Sequence, residues 1–172
     1  DMVAGLSLGE YSALVASGAL DFEEAVALVA KRGAYMEEVA PAGSGKMVAV
    51  LNTPVEVIEE VCRKASELGV VTPANYNTPA QIVIGGEVTA VDRAVELLQE
   101  AGAKRLIPLK VSGPFHTALL EPASQKLAET LAQVSFSDFT CPLVGNTEAA
   151  VMQKEDIAQL LTRQVKEPVR FY

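Results

Sequence analysis

Near its start the chain reads Gly5-Leu6-Ser7-Leu8-Gly9, a spacing that suits a serine nucleophile. In such an elbow a strand turns sharply into a helix, and the serine hydroxyl projects above the sheet. The flanking glycines let the two elements pack closely, with no Cβ to collide. Met2-Val3-Ala4 before the turn reads as a strand, and Tyr11 to Ala16 after it reads as a helix. The Leu8 N–H then lies at that helix's N-terminus, where an oxyanion is stabilised. The plain alternative is a serine in an ordinary glycine-rich turn, and the pentapeptide alone does not decide between them.

A serine hydroxyl needs a base that titrates near neutrality. His116 is the only histidine, set in Gly113-Pro114-Phe115-His116-Thr117, a turn at a strand end. Its second ring nitrogen needs an acceptor to fix the tautomer. Asp138 and Asp156 read as a loop residue and a helix start, so a main-chain carbonyl enters as the other acceptor. Arg32 lies one turn before Met36 on the second helix and shares its face. A guanidinium there could bind a substrate carboxylate bidentately. Spacing alone favours a solvated arginine beside Lys31.

The elements that must hold these residues are marked by caps and periods. Asp21 and Glu24 have capping-box spacing, and an apolar face through Phe22, Ala25, Val26 and Val29 predicts a helix to about Glu38. Between Lys46 and Val111 the order strand, helix, two strands, helix, strand is expected. Its strands are Lys46 to Leu51, Gly69 to Pro73, Gln81 to Ile84 and Lys104 to Val111, the last at an edge because of Pro108. Thr53 and Thr89 are expected to cap the two helices. This βαββαβ order is that of a ferredoxin-like unit. A helix through Leu120, Ala123, Leu127 and Leu131, a short strand from Pro142 to Gly145 and a helix from Ile157 to Val165 complete the chain. The expected fold is therefore α/β, with a body from residues 1–44 and 112–172 and a ferredoxin-like subdomain at residues 45–111.

Composition narrows the function. Of 172 residues 49% are hydrophobic and 21% charged, the balance of a folded protein. No apolar run approaches the roughly 18 residues of a membrane span, and no basic leader precedes the first strand. With 14 basic and 22 acidic residues the net charge is −8, against a nucleic-acid-binding face. A local basic patch for an anionic partner stays open, with Lys104, Arg105, Lys110, Arg163, Lys166 and Arg170 as candidates. Cys62 and Cys141 have no metal or redox spacing and read as free thiols in a reducing cytoplasm. The chain opens inside a strand and stops at Arg170-Phe171-Tyr172, so it is expected to be part of something longer.

Five motifs in order, Gly5-Leu6-Ser7-Leu8-Gly9-Glu10-Tyr11, Arg32 after a capped helix, Asn75-Tyr76-Asn77-Thr78-Pro79-Ala80-Gln81, Gly113-Pro114-Phe115-His116-Thr117 and Gln164-Val165-Lys166-Glu167-Pro168-Val169, resemble those of the malonyl-CoA:acyl carrier protein transacylases. The resemblance runs through the whole chain. It implies an α/β-hydrolase-like body with the ferredoxin-like insert. It also implies transfer of a malonyl group from malonyl-CoA to the phosphopantetheine thiol of acyl carrier protein, in fatty acid synthesis, through a malonyl-serine intermediate. Ser7 would be the nucleophile, His116 the base and the Leu8 N–H the oxyanion donor. Arg32 would hold the malonyl carboxylate, which reverses the reading from spacing. Met36 would line the acyl pocket, Phe115 would crowd an α-methyl group, and the main-chain carbonyl of Gln164 would orient His116. No metal, cofactor, nucleic acid or membrane is implied.

The family usually carries histidine at the position of Leu6, and its glutamine-containing N-terminal loop and glycine-rich C-terminal strand are not in this sequence. Two other readings compete. A serine esterase or lipase would share the elbow and use water as acceptor. A binding module with an incidental elbow would leave Ser7 inert.

Overall fold

The computed structural model describes residues 1–111 and 113–172 as a mixed α/β structure. The expected start of the second body segment, residue 112, lies outside the described residues. Strand β1 (Val3–Ala4) leads into helices α1 (Leu8–Ala16) and α2 (Phe22–Val39). Asp21 caps α2 through Oδ1, which accepts from the N–H groups of Glu23 at 2.9 Å and Glu24 at 3.1 Å. Then follow β2 (Lys46–Leu51), α3 (Val55–Ala65), β3 (Val71–Thr78), β4 (Gln81–Gly86), α4 (Val88–Glu100) and β5 (Arg105–Pro108). The chain continues through α5 (Glu121–Leu131), β6 (Leu143–Val144), α6 (Ile157–Gln164) and β7 (Val169–Arg170).

Two sheets result. β1 and β6 pair in parallel, while the larger sheet has the order β5-β2-β4-β3-β7. Neighbours among its first four strands are antiparallel, and β7 joins β3 in parallel. Alternation along β2 explains why it is buried on both sides. Val48 and Val50 face α3 and α4 with Ile82 and Ile84, and Met47 and Ala49 face the other way with Ala74 and Val83. A separate core gathers Tyr11, Leu14, Leu28, Leu120, Leu127, Leu131, Leu143, Ile157 and Leu161. Each such buried aliphatic side chain stabilises the fold by about 1.5–3 kcal/mol. Phe115 is half-buried and packs on this core and on the Met47 layer, joining the two.

Several boundaries differ from expectation. β3 runs on through Asn75 to Thr78, a polar stretch that does not read as a strand. Register shifts between Pro73 and Asn75 and between Tyr76 and Thr78 let it follow β4. Thr53 does not cap α3: Pro54 is the cap residue, and the Thr53 hydroxyl points back to the Leu51 carbonyl at 3.4 Å. Thr89 lies inside α4, which Glu87 precedes as cap residue. β5 ends at Pro108, at the sheet edge where proline costs no ladder bond. Among the described residues no helix is long and apolar enough to cross a membrane.

Candidate active site

Ser7 stands between the end of β1 and the first turn of α1, with φ 52° and ψ −108°. Left-handed φ is strained for a residue with a side chain and costs on the order of 1–2 kcal/mol. Gly5 makes the turn possible, because a Cβ there would lie 1.9 Å from the Gly9 carbonyl oxygen. At Gly9 itself an added Cβ would meet nothing within 4 Å, so the close approach is made by Gly5 alone.

Asn146, just beyond β6, clamps the turn. Its Oδ1 accepts from the Ser7 N–H at 2.6 Å and its Nδ2 donates to the Gly5 carbonyl at 2.7 Å. Leu8 opens α1, so its N–H is one of the four without an intrahelical acceptor and stays available to an oxyanion.

His116 also has positive φ, 58°. Gly113 lies so close to Ala40 that a Cβ would sit 2.7 Å from its carbonyl oxygen, which fixes the turn leading to the histidine. Thr117 closes that turn, its hydroxyl donating to the Pro114 carbonyl at 2.6 Å. The imidazole Nε2 lies 2.8 Å from Ser7 Oγ, and Nδ1 lies 2.7 Å from the main-chain oxygen of Gln164. A carbonyl can only accept, so Nδ1 carries the proton and Nε2 is left as the acceptor for the serine hydroxyl.

Burial holds the His116 pKa down to about 4. The nearby Arg32 charge pushes the same way, against the Gln164 hydrogen bond. The unfolded chain protonates this ring near 6.5. The stability tied to the neutral ring is therefore complete above pH 6.5 and is lost as pH falls from 6.5 to about 4.

Arg32 is buried, 6% exposed, which overturns the solvated reading from spacing. Nη2 donates to Ser7 Oγ at 3.0 Å and to Gln164 Oε1 at 3.1 Å, and the guanidinium lies 5.6 Å from the centre of the Tyr11 ring. Burial lowers its pKa from the ordinary arginine value, opposed by Tyr11 and Glu10.

The Gln164 side chain does as much as its carbonyl. Nε2 donates to the Ser7 carbonyl at 3.0 Å and to Glu10 Oε2. Glu10 Oε1 in turn accepts from the Asn146 N–H at 2.7 Å. Burial raises the Glu10 pKa, against these hydrogen bonds and Arg32.

The structure thus joins Ser7, His116, Arg32 and Gln164 directly. Met36 is buried one turn beyond Arg32 in the body core, and Phe115 borders the site by packing. Asp138 is exposed and paired with Lys154 at 3.0 Å, and Asp156 precedes α6, so neither serves the histidine.

Sequence reasoning does not single out Glu10, Asn146 or the Gln164 amide. Glu10 reads as a first-turn acid that favours the helix dipole, and Asn146 as a turn residue. The available signals are that Glu10 falls within the elbow motif and that Gln164 opens the last of the five motifs.

The candidate basic patch shrinks. Arg163 forks onto Glu167 at 2.9 and 3.0 Å and pairs with Glu148 at 2.6 Å. Lys166 pairs with Glu121 at 2.5 Å, and Arg170 stacks 5.3 Å from the Tyr76 ring centre. Lys104, Arg105 and Lys110 remain exposed.

This geometry has close counterparts. A malonyl CoA-acyl carrier protein transacylase of Bacillus subtilis is 50% identical over 173 residues, covering 99% of this chain and 55% of that protein. One from Escherichia coli K12 is 46% identical over 171 residues, with the same coverage of 99% and 55%. The chain therefore spans about half the length of the curated relatives it matches. A crystal structure of MCAT from Streptococcus pneumoniae superposes with a TM-score of 0.97 at 95% identity, over 100% of this chain and 56% of that one. A structure of a type II PKS acyl-carrier protein in complex with its malonyl-transacylase superposes at 0.96, 43% identical, over 99% of this chain and 55% of that one. The acyl transferase domain family matches residues 1–172. With the serine, the histidine and the arginine in place, the chain belongs to the acyl transferase domain family.

Proposed function

We propose that this chain forms the catalytic segment of a malonyl-CoA:acyl carrier protein S-malonyltransferase of fatty acid synthesis. The observation that carries the reading is one oxygen with two partners: Ser7 Oγ is 2.8 Å from His116 Nε2 and 3.0 Å from Arg32 Nη2.

His116 Nε2 takes the hydroxyl proton as Oγ attacks the thioester carbon of malonyl-CoA. The oxyanion forms against the Leu8 N–H. Collapse breaks the C–S bond, and the coenzyme A thiolate leaves with the proton from His116. The phosphopantetheine thiol of acyl carrier protein then gives its proton to His116, attacks the malonyl-serine, and restores Oγ–H.

Arg32 distinguishes this reading from an esterase or lipase. A buried guanidinium beside the nucleophile suits an acyl group that ends in a carboxylate. An arriving carboxylate replaces Ser7 Oγ as its partner and leaves the hydroxyl to His116 alone. Burial is the main cause of the low His116 pKa, and pairing screens the smaller contribution of the Arg32 charge, which makes the imidazole a stronger base once malonyl is bound. Met36 and Phe115 supply the apolar wall around the acyl chain, where the bulk of Phe115 disfavours an α-methyl by about 1–3 kcal/mol.

The antiparallel order β5-β2-β4-β3, with α3 and α4 on one face, supports reading residues 45–111 as the ferredoxin-like insert. The rest then forms the α/β-hydrolase-like body, in a protein working in the cytoplasm. The exposed Lys104, Arg105 and Lys110 offer an acidic carrier its basic contact.

Arg32→Ala tests the reading. Malonyl transfer should fall by about 10²-fold, the loss of a charge-assisted pair, while transfer of an uncharged acetyl group falls much less. Steady-state kinetics with malonyl-CoA and acetyl-CoA check it, and an unchanged preference for malonyl would refute the role of Arg32.

A further inference from the structure

Glu10 is a buried carboxylate that the proposed chemistry does not use. It is 1% exposed and sits in the first turn of α1, three residues after the nucleophile. Burying a carboxylate costs several kcal/mol unless its oxygens are hydrogen-bonded. Both are: Oε1 by the Asn146 N–H, Oε2 by the Gln164 amide. Space is cut for it as well, because a Cβ on Gly145 would sit 3.3 Å from Oε1.

Its partners converge on the site. Asn146 holds the Ser7 N–H, and Gln164 holds the Ser7 carbonyl and Arg32.

We propose that Glu10 is a positioning residue for acyl transfer, which sets the orientation of the Gln164 amide and through it aims Arg32. The proposal rests on the acyltransferase reading of the site. A glutamine amide can point either way round, with NH₂ and oxygen exchanged. A carboxylate accepts only, so Glu10 draws the Gln164 NH₂ toward itself and toward the Ser7 carbonyl. The amide oxygen is then turned to Arg32, where it accepts from Nη2 at 3.1 Å. Without the negative charge the amide can turn over, and its NH₂ would face the guanidinium, donor against donor. Arg32 would lose its anchor, and the acyl carboxylate would lose a fixed partner. A purely structural role predicts equal loss for every acyl group. Aiming Arg32 predicts a loss concentrated on acyl groups that carry a carboxylate.

The test uses the protein in its full natural length, as wild type, Glu10→Gln and the conservative Glu10→Asp. Glu10→Gln keeps size and removes the charge. Glu10→Asp keeps the charge and shortens the side chain by a methylene. In Glu10→Gln, the ratio of kcat/KM for malonyl-CoA to that for acetyl-CoA should fall by about tenfold or more, and Glu10→Asp should retain more of it. A ratio within about twofold of wild type, roughly a third of the expected loss in free energy or less, overturns the proposal, whatever the absolute rates do. If wild type neither malonylates Ser7 nor transfers malonyl, the acyltransferase reading has failed. Labelling of Ser7 by a fluorophosphonate then decides the positioning role: slowing of about fivefold or more in Glu10→Gln supports it, and equal rates overturn it.

Discussion

Replacing His116 with alanine should lower malonyl transfer by about 10⁴-fold, at the upper end for loss of a general base. The size follows from Ser7 having no second side-chain acceptor among the described residues. Oγ lies 2.8 Å from Nε2, and its other neighbour is the Arg32 guanidinium, which only donates. Folding should survive, since the ring makes one hydrogen bond to the Gln164 carbonyl besides that to the serine.

The same residue predicts the pH profile. With the imidazole held neutral down to about pH 4, the acidic limb of kcat/KM should fall near 4, not near the 6.5 of a free histidine. The sign is that of a base: activity needs the neutral ring, and a depressed pKa extends activity to lower pH. Transfer assays across the range from below the depressed pKa to neutrality would check it. A limb near 6.5 would mean that the imidazole is hydrated or faces an anion when it works.

The second large effect belongs to the backbone. Gly5→Ala places a Cβ 1.9 Å from the Gly9 carbonyl oxygen and 2.2 Å from its carbon, both main-chain atoms of α1 that cannot rotate away. Relief requires α1 to move off β1, which displaces Ser7 from His116. The expected cost is about 3 kcal/mol. For a domain of this size that lowers Tm by about 6–12 °C, and transfer should be nearly abolished even in the folded fraction. Thermal unfolding and the transfer assay together check it. A variant with unaltered Tm and rate would show that the elbow is looser than its contacts imply.

How far the site can be read from the sequence depends on where its partners lie along the chain. The elbow is local: strand, Gly-x-Ser-x-Gly and helix follow one another, so Ser7 and Leu8 are legible. His116 stands out as the lone histidine. Arg32 is different, because its spacing on α2 suits a solvated face. Only resemblance to a family marks it, and only the fold shows it buried.

Glu10, Asn146 and the Gln164 amide are least legible. The Asn146 contact to Glu10 spans 136 residues and that of Gln164 spans 154, distances at which no local pattern operates. β3 shows the same limit in the fold. Its Pro73, Asn75 and Asn77 have poor strand propensity, and pairing with β4 and β7 overrides it. β2 and β4 are plain because alternation serves two apolar layers at once. Thr53 and Thr89 are good cap residues for helices that begin elsewhere, Thr53 just before the Pro54 cap and Thr89 already inside α4.

In the proposed function Ser7 carries a malonyl group between two thiols. This is tested most directly by mixing the protein in its full natural length with malonyl-CoA, without carrier, and reading intact mass. The expected result is a malonyl adduct that is absent in Ser7→Ala and is discharged when acyl carrier protein is added. Free malonate accumulating without carrier, or an adduct that persists in Ser7→Ala, would contradict it.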